Sequence, residues 1–138
     1  MSQSRKQWIS WFRWCLWFGR CVPRIVLIRH ADVTYDGGSD PPLNAAGVAR
    51  AEELPRVLGG AGIQAIFVSE FLRTQQTAAP LAGDLGVVPT MLADPDATVT
   101  AIRALPPSSA ALVVSHHGQA ARYRHRPRGI VATNHRGN

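Results

Sequence analysis

Cysteine is scarce in this chain, which contains only two cysteines in 138 residues. Cys15 and Cys21 do not have the C-x-x-C spacing of zinc and redox sites, so neither a structural metal nor a disulfide scaffold is expected. Acidic residues are also scarce, nine against fifteen basic ones, which gives a net charge of +6. A chain of this length can form one ordinary domain with a core and short appendages, but not two such domains.

The deficit of acidic residues is confined to the two ends of the chain. Residues 1–24 and 118–138 each carry five basic residues and no acidic one. Residues 25–117 carry five basic and nine acidic residues, a net charge of −4. The middle of the chain therefore lacks the basic face that a nucleic-acid-binding domain needs, and no nucleic-acid partner is expected.

Residues 1–23 form a basic leader that contains all four tryptophans. Its aromatic run, residues 8–18, is too short for a membrane-spanning helix, which needs about 20 apolar residues. A positive start and a short apolar stretch are typical of a secretory signal, although Arg13 interrupts the stretch and no Ala-x-Ala-like cleavage site follows. Three interpretations stay open: a degenerate export signal, a segment that contacts a membrane surface weakly, and a poorly ordered leader of a cytoplasmic protein.

Short apolar strands alternate with helical segments through residues 24–118, which we take as the domain. This alternation predicts an α/β fold, a three-layer α/β/α sandwich with a mostly parallel central sheet. Each predicted strand is a nearly continuous apolar run, as expected when helices cover both faces of a sheet. The predicted strands are residues 25–28, 65–68, 87–91 and 111–114, and the predicted helices are residues 45–58, 73–82 and 97–105.

Individual residues predict where the first helix begins, breaks and ends. Asn44 is a good N-cap, and Pro55 should kink the helix or end it early because proline has no backbone N–H to donate. Gly59, Gly60 and Gly62 should terminate the helix.

Cationic side chains follow three of the predicted strands. The first strand ends in Arg29 and His30, the second leads to Arg73 at a helix start, and the fourth ends in His116. The carboxyl ends of parallel strands meet at one edge of a sheet, where open α/β sheets bind ligands. Two guanidinium groups and two imidazoles there would suit a tetrahedral oxyanion, and phosphate is the natural candidate.

The sequence around these residues resembles the histidine phosphatase superfamily, also called phosphoglycerate mutase-like, and its compact branch that includes phosphohistidine phosphatases. The resemblance covers residues 24–117, and its motifs occur in the family's order. The motifs are Arg29-His30-Ala31, Pro42-Leu43-Asn44 with Gly47, Arg73-Thr74 with Thr77-Ala78, and Val113-Val114-Ser115-His116.

The resemblance implies a mechanism. His30 would attack the phosphoryl group and form a phosphohistidine that water then hydrolyses, with a backbone carbonyl fixing the tautomer of its ring. Arg29, Arg73 and His116 would bind the phosphoryl oxygens, and no metal or other cofactor would be required. The expected partner is a small phosphorylated substrate or a phosphoprotein.

The general acid is less clearly marked than the nucleophile. Asp94 and Asp96 follow the third predicted strand, roughly where the family places an acidic residue. Glu70 is a third candidate, since it lies close to Arg73 in sequence.

Two departures from the family pattern stand out. Ala31 replaces the glycine that most often follows the histidine in this RHG-type motif. Residues 119–138 form a basic segment with no apolar period, which predicts a disordered tail in place of the family's closing helix and strand. Such a truncation would expose apolar surface beside His116 and loosen that histidine. An impaired or inactive domain that only binds phosphoanions or a partner, and a membrane-surface protein, are therefore the alternatives to a phosphatase.

Overall fold

A parallel sheet forms the centre of the domain. The computed structural model describes residues 22–116 and 130–132. The strands lie in the order β3-β2-β4-β1-β5, and every pairing between them is parallel. This arrangement confirms the predicted sheet. The strands are β1 (Arg24–Arg29), β2 (Ile63–Val68), β3 (Thr90–Met91), β4 (Ala110–Ser115) and β5 (Ile130–Ala132).

Helices cover both faces of the sheet, which confirms the three-layer sandwich. The helices are α1 (Ala45–Glu52), α2 (Leu54–Leu58), a 3-10 turn (Gly59–Ala61), α3 (Leu72–Leu85) and α4 (Pro95–Arg103). Successive residues of a strand point to opposite faces. On β2, Ile66 packs in the core beneath α3 with Leu81, whereas its neighbour Phe67 packs in the core beneath α4 with Val99. Both faces are therefore apolar, as the strand composition predicted.

The first helix begins and breaks where the sequence indicated. The Asn44 side chain accepts a hydrogen bond from the backbone N–H of Gly47 at 2.8 Å. The helix is interrupted at Glu53, and Pro55 lies in the first turn of α2, where its missing donor costs nothing. Gly62 adopts a φ of +70° after the 3-10 turn, a conformation that favours glycine.

Gly47 is also constrained by its surroundings, because a Cβ atom there would lie 2.0 Å from the backbone oxygen of Asp32. Asp32 follows the end of β1 by three residues. The loop after β1 therefore packs against α1 at a distance that only glycine allows.

Strand β3 is shorter than the predicted residues 87–91. The backbone N–H of Val87 donates to the Ala82 carbonyl at 3.0 Å, and Gly86 has a φ of +65°. Both features belong to the end of α3, so the apolar residue at 87 completes a helix cap before the strand begins.

The prediction that residues 119–138 contribute no strand is wrong at residues 130–132. These residues form β5, which pairs with β1 on the side opposite β4, with Val26 beside Val131. Three apolar residues give too weak a signal in an arginine-rich context, and the hydrogen bonds that β1 offers decide their conformation. The strand that leads to His30 is thus paired with a neighbouring strand on both sides.

Several predictions concern residues outside the described ranges. These predictions concern the leader with its two cysteines as far as residue 21, His117, and the remaining tail, residues 119–129 and 133–138. Within the described ranges, no helix is both long and apolar enough to span a membrane.

Candidate active site

The carboxyl ends of β1 and β4 bring the two histidines of the site to the same edge of the sheet. Arg29 is in register with Ser115, the last residue of each strand. The backbone N–H of His30 then donates to the Ser115 carbonyl at 3.1 Å, which continues the ladder one step past the strand. His30 directly follows β1 and His116 directly follows β4, so the two histidines lie side by side.

One ring nitrogen of His30 is fixed by the backbone. Nδ1 lies 2.8 Å from the carbonyl oxygen of Ala31. A carbonyl oxygen can only accept, so Nδ1 carries the proton and Nε2 keeps its lone pair. The Ala31 oxygen is a backbone carbonyl of the kind that the resemblance implies, and the lone pair of the neutral ring is then on Nε2.

The surroundings of His30 keep its imidazole neutral. Partial burial lowers the pKa of His30 below its ordinary value of 6.5, against the opposing effect of the Ala31 carbonyl. The charges of Arg29 and Arg73 lower it further, as does His116 when protonated. Arg29, Arg73 and His116 are therefore close enough to His30 to act on its charge. A half-buried imidazole beside two guanidinium cations stays unprotonated near neutral pH.

The residue after the histidine is held by the following helix. The backbone N–H of Ala31 donates to Oγ1 of Thr77 at 3.0 Å, and Thr77 itself donates to the Arg73 carbonyl at 2.7 Å. Thr77 is buried in the second turn of α3. It therefore joins the end of β1 to the helix that carries Arg73. Thr77 belongs to the motif singled out from the sequence, but its contact with Ala31 could not be read there.

Arg73 occupies the second position of α3, and a compact turn sets its place. Thr74 is fully buried and donates to the carbonyls of Ser69 and Phe71 at 3.1 and 2.8 Å. These bonds tie the first turn of α3 to the end of β2. The guanidinium carbon of Arg73 lies 4.2 Å from the centre of the Phe71 ring, within the range of a cation–π contact.

Phe71 links the arginine to the second histidine. Its ring meets that of His116 edge to face, with centres 4.8 Å apart and planes at 77°. Phe71 was not among the predicted site residues, because an aromatic residue before a helix is more often a core residue. Its position between Arg73 and His116 gives both side chains a shared apolar support.

His116 is also held neutral. Partial burial and the charge of Arg73 lower its pKa, and Glu70 acts in the opposite direction. The Glu70 charge therefore acts on His116. The Nδ1 atom of His116 is buried and has no hydrogen-bond partner among the described residues. In the neutral ring, one nitrogen can donate to a phosphoryl oxygen.

Asp94 and Asp96 lie at the start of α4, beyond β3. The Asp94 carboxylate caps that helix, accepting from the backbone N–H groups of Asp96 and Ala97 at 3.2 Å each. Asp94 thus has a structural function as a helix cap. The role of either as a general acid stays a prediction.

Comparisons with known proteins identify the family. The model of the histidine phosphatase superfamily (branch 1) matches residues 25–96. The chain belongs to this superfamily. The matched range contains β1, α3 and the first three of the four predicted cations, in family order.

Curated and solved relatives extend the comparison. A PE-PGRS family protein, PE_PGRS11 of Mycobacterium tuberculosis, is 47% identical over 53 residues, which is 38% of this chain and 9% of that protein. The chain thus matches only a small part of that relative. The protein histidine phosphatase SixA complexed with tungstate is 26% identical with a TM-score of 0.60, over 70% of this chain and 72% of that one.

A mycobacterial glucosyl-3-phosphoglycerate phosphatase in complex with VO3 has the same fold. It is 17% identical with a TM-score of 0.60, over 69% of this chain and 76% of that one. At this identity the likeness concerns the fold alone.

Proposed function

We propose that this protein is a phosphatase that removes a phosphoryl group through a phosphohistidine at His30, without a metal ion. One observation carries the proposal. Nδ1 of His30 donates a hydrogen bond to the Ala31 carbonyl at 2.8 Å. This bond leaves the lone pair on Nε2, which can act as a nucleophile near Arg29, Arg73 and His116. Activation of the nucleophile and neutralisation of phosphoryl charge are what this reaction requires of a protein.

The reaction has two displacements. In the first, Nε2 forms a bond to phosphorus as the bond to the leaving group breaks, and the leaving group takes a proton. In the second, water attacks phosphorus, the P–N bond breaks, and phosphate is released with His30 restored. Arg29, Arg73 and His116 bind the phosphoryl oxygens in both steps and stabilise the charge on them.

We assign the proton transfer to Glu70. It is the carboxylate whose charge acts on His116, whereas the Asp94 carboxylate is occupied by backbone N–H groups. A carboxyl group at this position can give its proton to an alkoxide leaving group and later accept one from water. A phosphohistidine would need this help less, because imidazole is a better leaving group than an alkoxide.

The substrate proposed is a phosphomonoester or a phosphohistidine, on a small molecule or a protein. The two related phosphatases described above were solved with tungstate and with VO3, and both ligands are oxyanions. Their binding supports an oxyanion pocket in the shared fold, and it does not select among substrates.

The test is hydrolysis of an aryl phosphate by the full chain and by a His30→Ala variant, each with and without a chelator. We expect turnover that the chelator leaves unchanged, and a loss of at least about a thousandfold in the variant, since removal of the nucleophile leaves only binding effects. The phosphoenzyme should be trapped with labelled substrate in the wild-type protein alone.

Equal rates for the two proteins would contradict the proposal. Stabilisation by vanadate without any turnover would favour the alternative that the domain only binds phosphoanions. Binding to anionic vesicles that is lost on deletion of residues 1–23 would instead support the membrane-surface alternative.

A further inference from the structure

Asp40 lies in the loop between β1 and α1 and contacts the start of α3, 32 residues further along the chain. Its carboxylate accepts from the backbone N–H of Leu72, with both oxygens at 3.0 Å. The same carboxylate contacts Nη1 of Arg73 at 3.3 Å. One side chain thus caps the helix and pairs with the arginine in its first turn.

The loop that carries Asp40 is fastened at its base. Val33 and Leu43 form an antiparallel bridge and are both buried. The Leu43 backbone N–H then donates to Oε1 of Gln76, one turn beyond Arg73. Pro41 and Pro42 restrict the backbone between Asp40 and that anchor. Asp40 is therefore presented to α3 by a stiff segment that is attached to the same helix.

Arg73 is restrained on two sides by these contacts. Its side chain is only 14% exposed, with the Phe71 ring on one side and the Asp40 carboxylate at Nη1. Among the described residues, the hydrogen bonds of the guanidinium group involve Nη1, which also approaches the Ser39 carbonyl at 3.5 Å. Within that part of the chain, the other N–H groups of the fork can still bind an anion. The guanidinium group is planar, so an arginine held at one nitrogen has its other N–H donors in fixed directions.

We infer that Asp40 is a positioning residue that holds Arg73 in the orientation needed to bind the transferred phosphoryl group. Asp40 does not touch the substrate in this account, and it acts through Arg73. The inference uses the proposed function for its turnover readout, but the orientation of Arg73 can also be measured by oxyanion binding alone.

The variant to test is Asp40→Asn. The amide oxygen can still accept from Leu72, so the helix cap is kept while the charge beside Arg73 is lost. The Asp40 side chain is 40% exposed, and an ion pair open to water on one side contributes little to stability, so the melting temperature should stay within about 4 °C of wild type. Displacement of a group by about 1 Å in an active site can cost about a hundredfold in rate, so we expect kcat to fall about tenfold to a hundredfold, with KM within about threefold.

Vanadate provides a second readout, because it mimics the geometry of phosphoryl in transfer and depends on the same donors. Its affinity should fall by a factor similar to that of kcat, while the affinity for inorganic phosphate changes by less than about threefold. Asp84→Asn is the matched control, since it removes the same charge from the other end of α3. Asp84→Asn should leave kcat, the affinity for vanadate and the affinity for phosphate unchanged.

A double-mutant cycle with Arg73→Ala decides whether Asp40 acts through the arginine. If it does, Asp40→Asn should change turnover and vanadate affinity by less than about twofold once Arg73 is absent. The same loss in both backgrounds, or wild-type kcat and vanadate affinity in Asp40→Asn, would overturn the inference.

The two proposals can fail separately. Vanadate binding that depends on Asp40 in a protein without turnover would refute the phosphatase and keep the role of Asp40. Turnover that is the same in wild type and in Asp40→Asn would support the phosphatase and refute the role of Asp40. A wild-type chain that neither turns over substrate nor binds vanadate would refute both.

Discussion

Helices α3 and α4 both start near the same edge of the sheet, yet their first turns are capped in different ways. The cap of α4 is local, because Asp94 accepts from the next residues of its own chain. The cap of α3 is supplied by Asp40, from a loop that precedes it by 32 residues. Only the helix with the remote cap carries a residue of the pocket, Arg73. The comparison indicates that α4 needs only to be stable, whereas α3 must also be oriented relative to β1.

The second turns of the two helices offer the sharpest test of this difference. Thr77 in α3 and Thr100 in α4 both donate to the carbonyl four residues earlier, at 2.7 and 2.9 Å. Only Thr77 also accepts, from the Ala31 N–H. We expect Thr77→Val to lower the free energy of unfolding by about 1–3 kcal/mol, because it leaves that N–H unpaired, and to lower kcat at least about tenfold through movement of His30.

Thr100→Val is the matched control, and it should change the free energy of unfolding by less than about 0.5 kcal/mol because the residue is exposed. Denaturant unfolding and aryl phosphate hydrolysis measure both effects. Equal changes in the two variants would show that the contact with Ala31 is of no consequence.

Removal of the local cap should affect stability alone. Asp94→Ala deletes the two contacts to backbone N–H groups and should cost about 1 kcal/mol, as typical N-cap removals do. Thermal unfolding would record this loss, and kcat should stay within about twofold of wild type. A collapse of kcat at unchanged stability would instead identify Asp94 as the general acid and displace Glu70.

The third prediction concerns pH and has the smallest effect at neutrality. The pKa of His30 is below 6.5 in the folded protein because of burial and neighbouring cations, so the acid limb of kcat/KM should lie below pH 6.5. Arg73→Ala removes one of those cations, so the limb should move to higher pH in the activity that remains. Asp94→Ala should not move it. A limb that stays in place in Arg73→Ala would mean that Arg73 is too far from His30 to matter.

The stability of the protein should follow the same titration. The pKa values of His30 and His116 are both lowered in the folded state, so the unfolded chain binds protons first as the pH falls. Stability is therefore lost progressively below about pH 6.5, down to the folded-state pKa values. Thermal unfolding between pH 7.5 and about 5 measures the loss, which should be smaller in Arg73→Ala.

Much of the fold was predictable because its signals are local. The apolar runs of β1, β2 and β4, the Asn44 cap and the break near Pro55 all follow from neighbouring residues. The three residues of β5 could not be predicted, since their conformation depends on pairing with β1. The cap that Asp94 gives to α4 is a local feature too, and the role of Asp94 as a general acid stays a prediction.

The candidate site divides in the same way. The amino-acid sequence by itself marked Arg29, His30, Arg73 and His116 as candidates, because charged and titratable residues directly after apolar strands are conspicuous. The tertiary structure alone showed that Thr77 binds Ala31, that Phe71 lies between Arg73 and His116, and that Asp40 reaches Arg73. The first set depends on strand ends, which follow from residue type and order. The second depends on contacts between segments more than 30 residues apart, and only the packing of α3 against β1 and its loop brings those segments together.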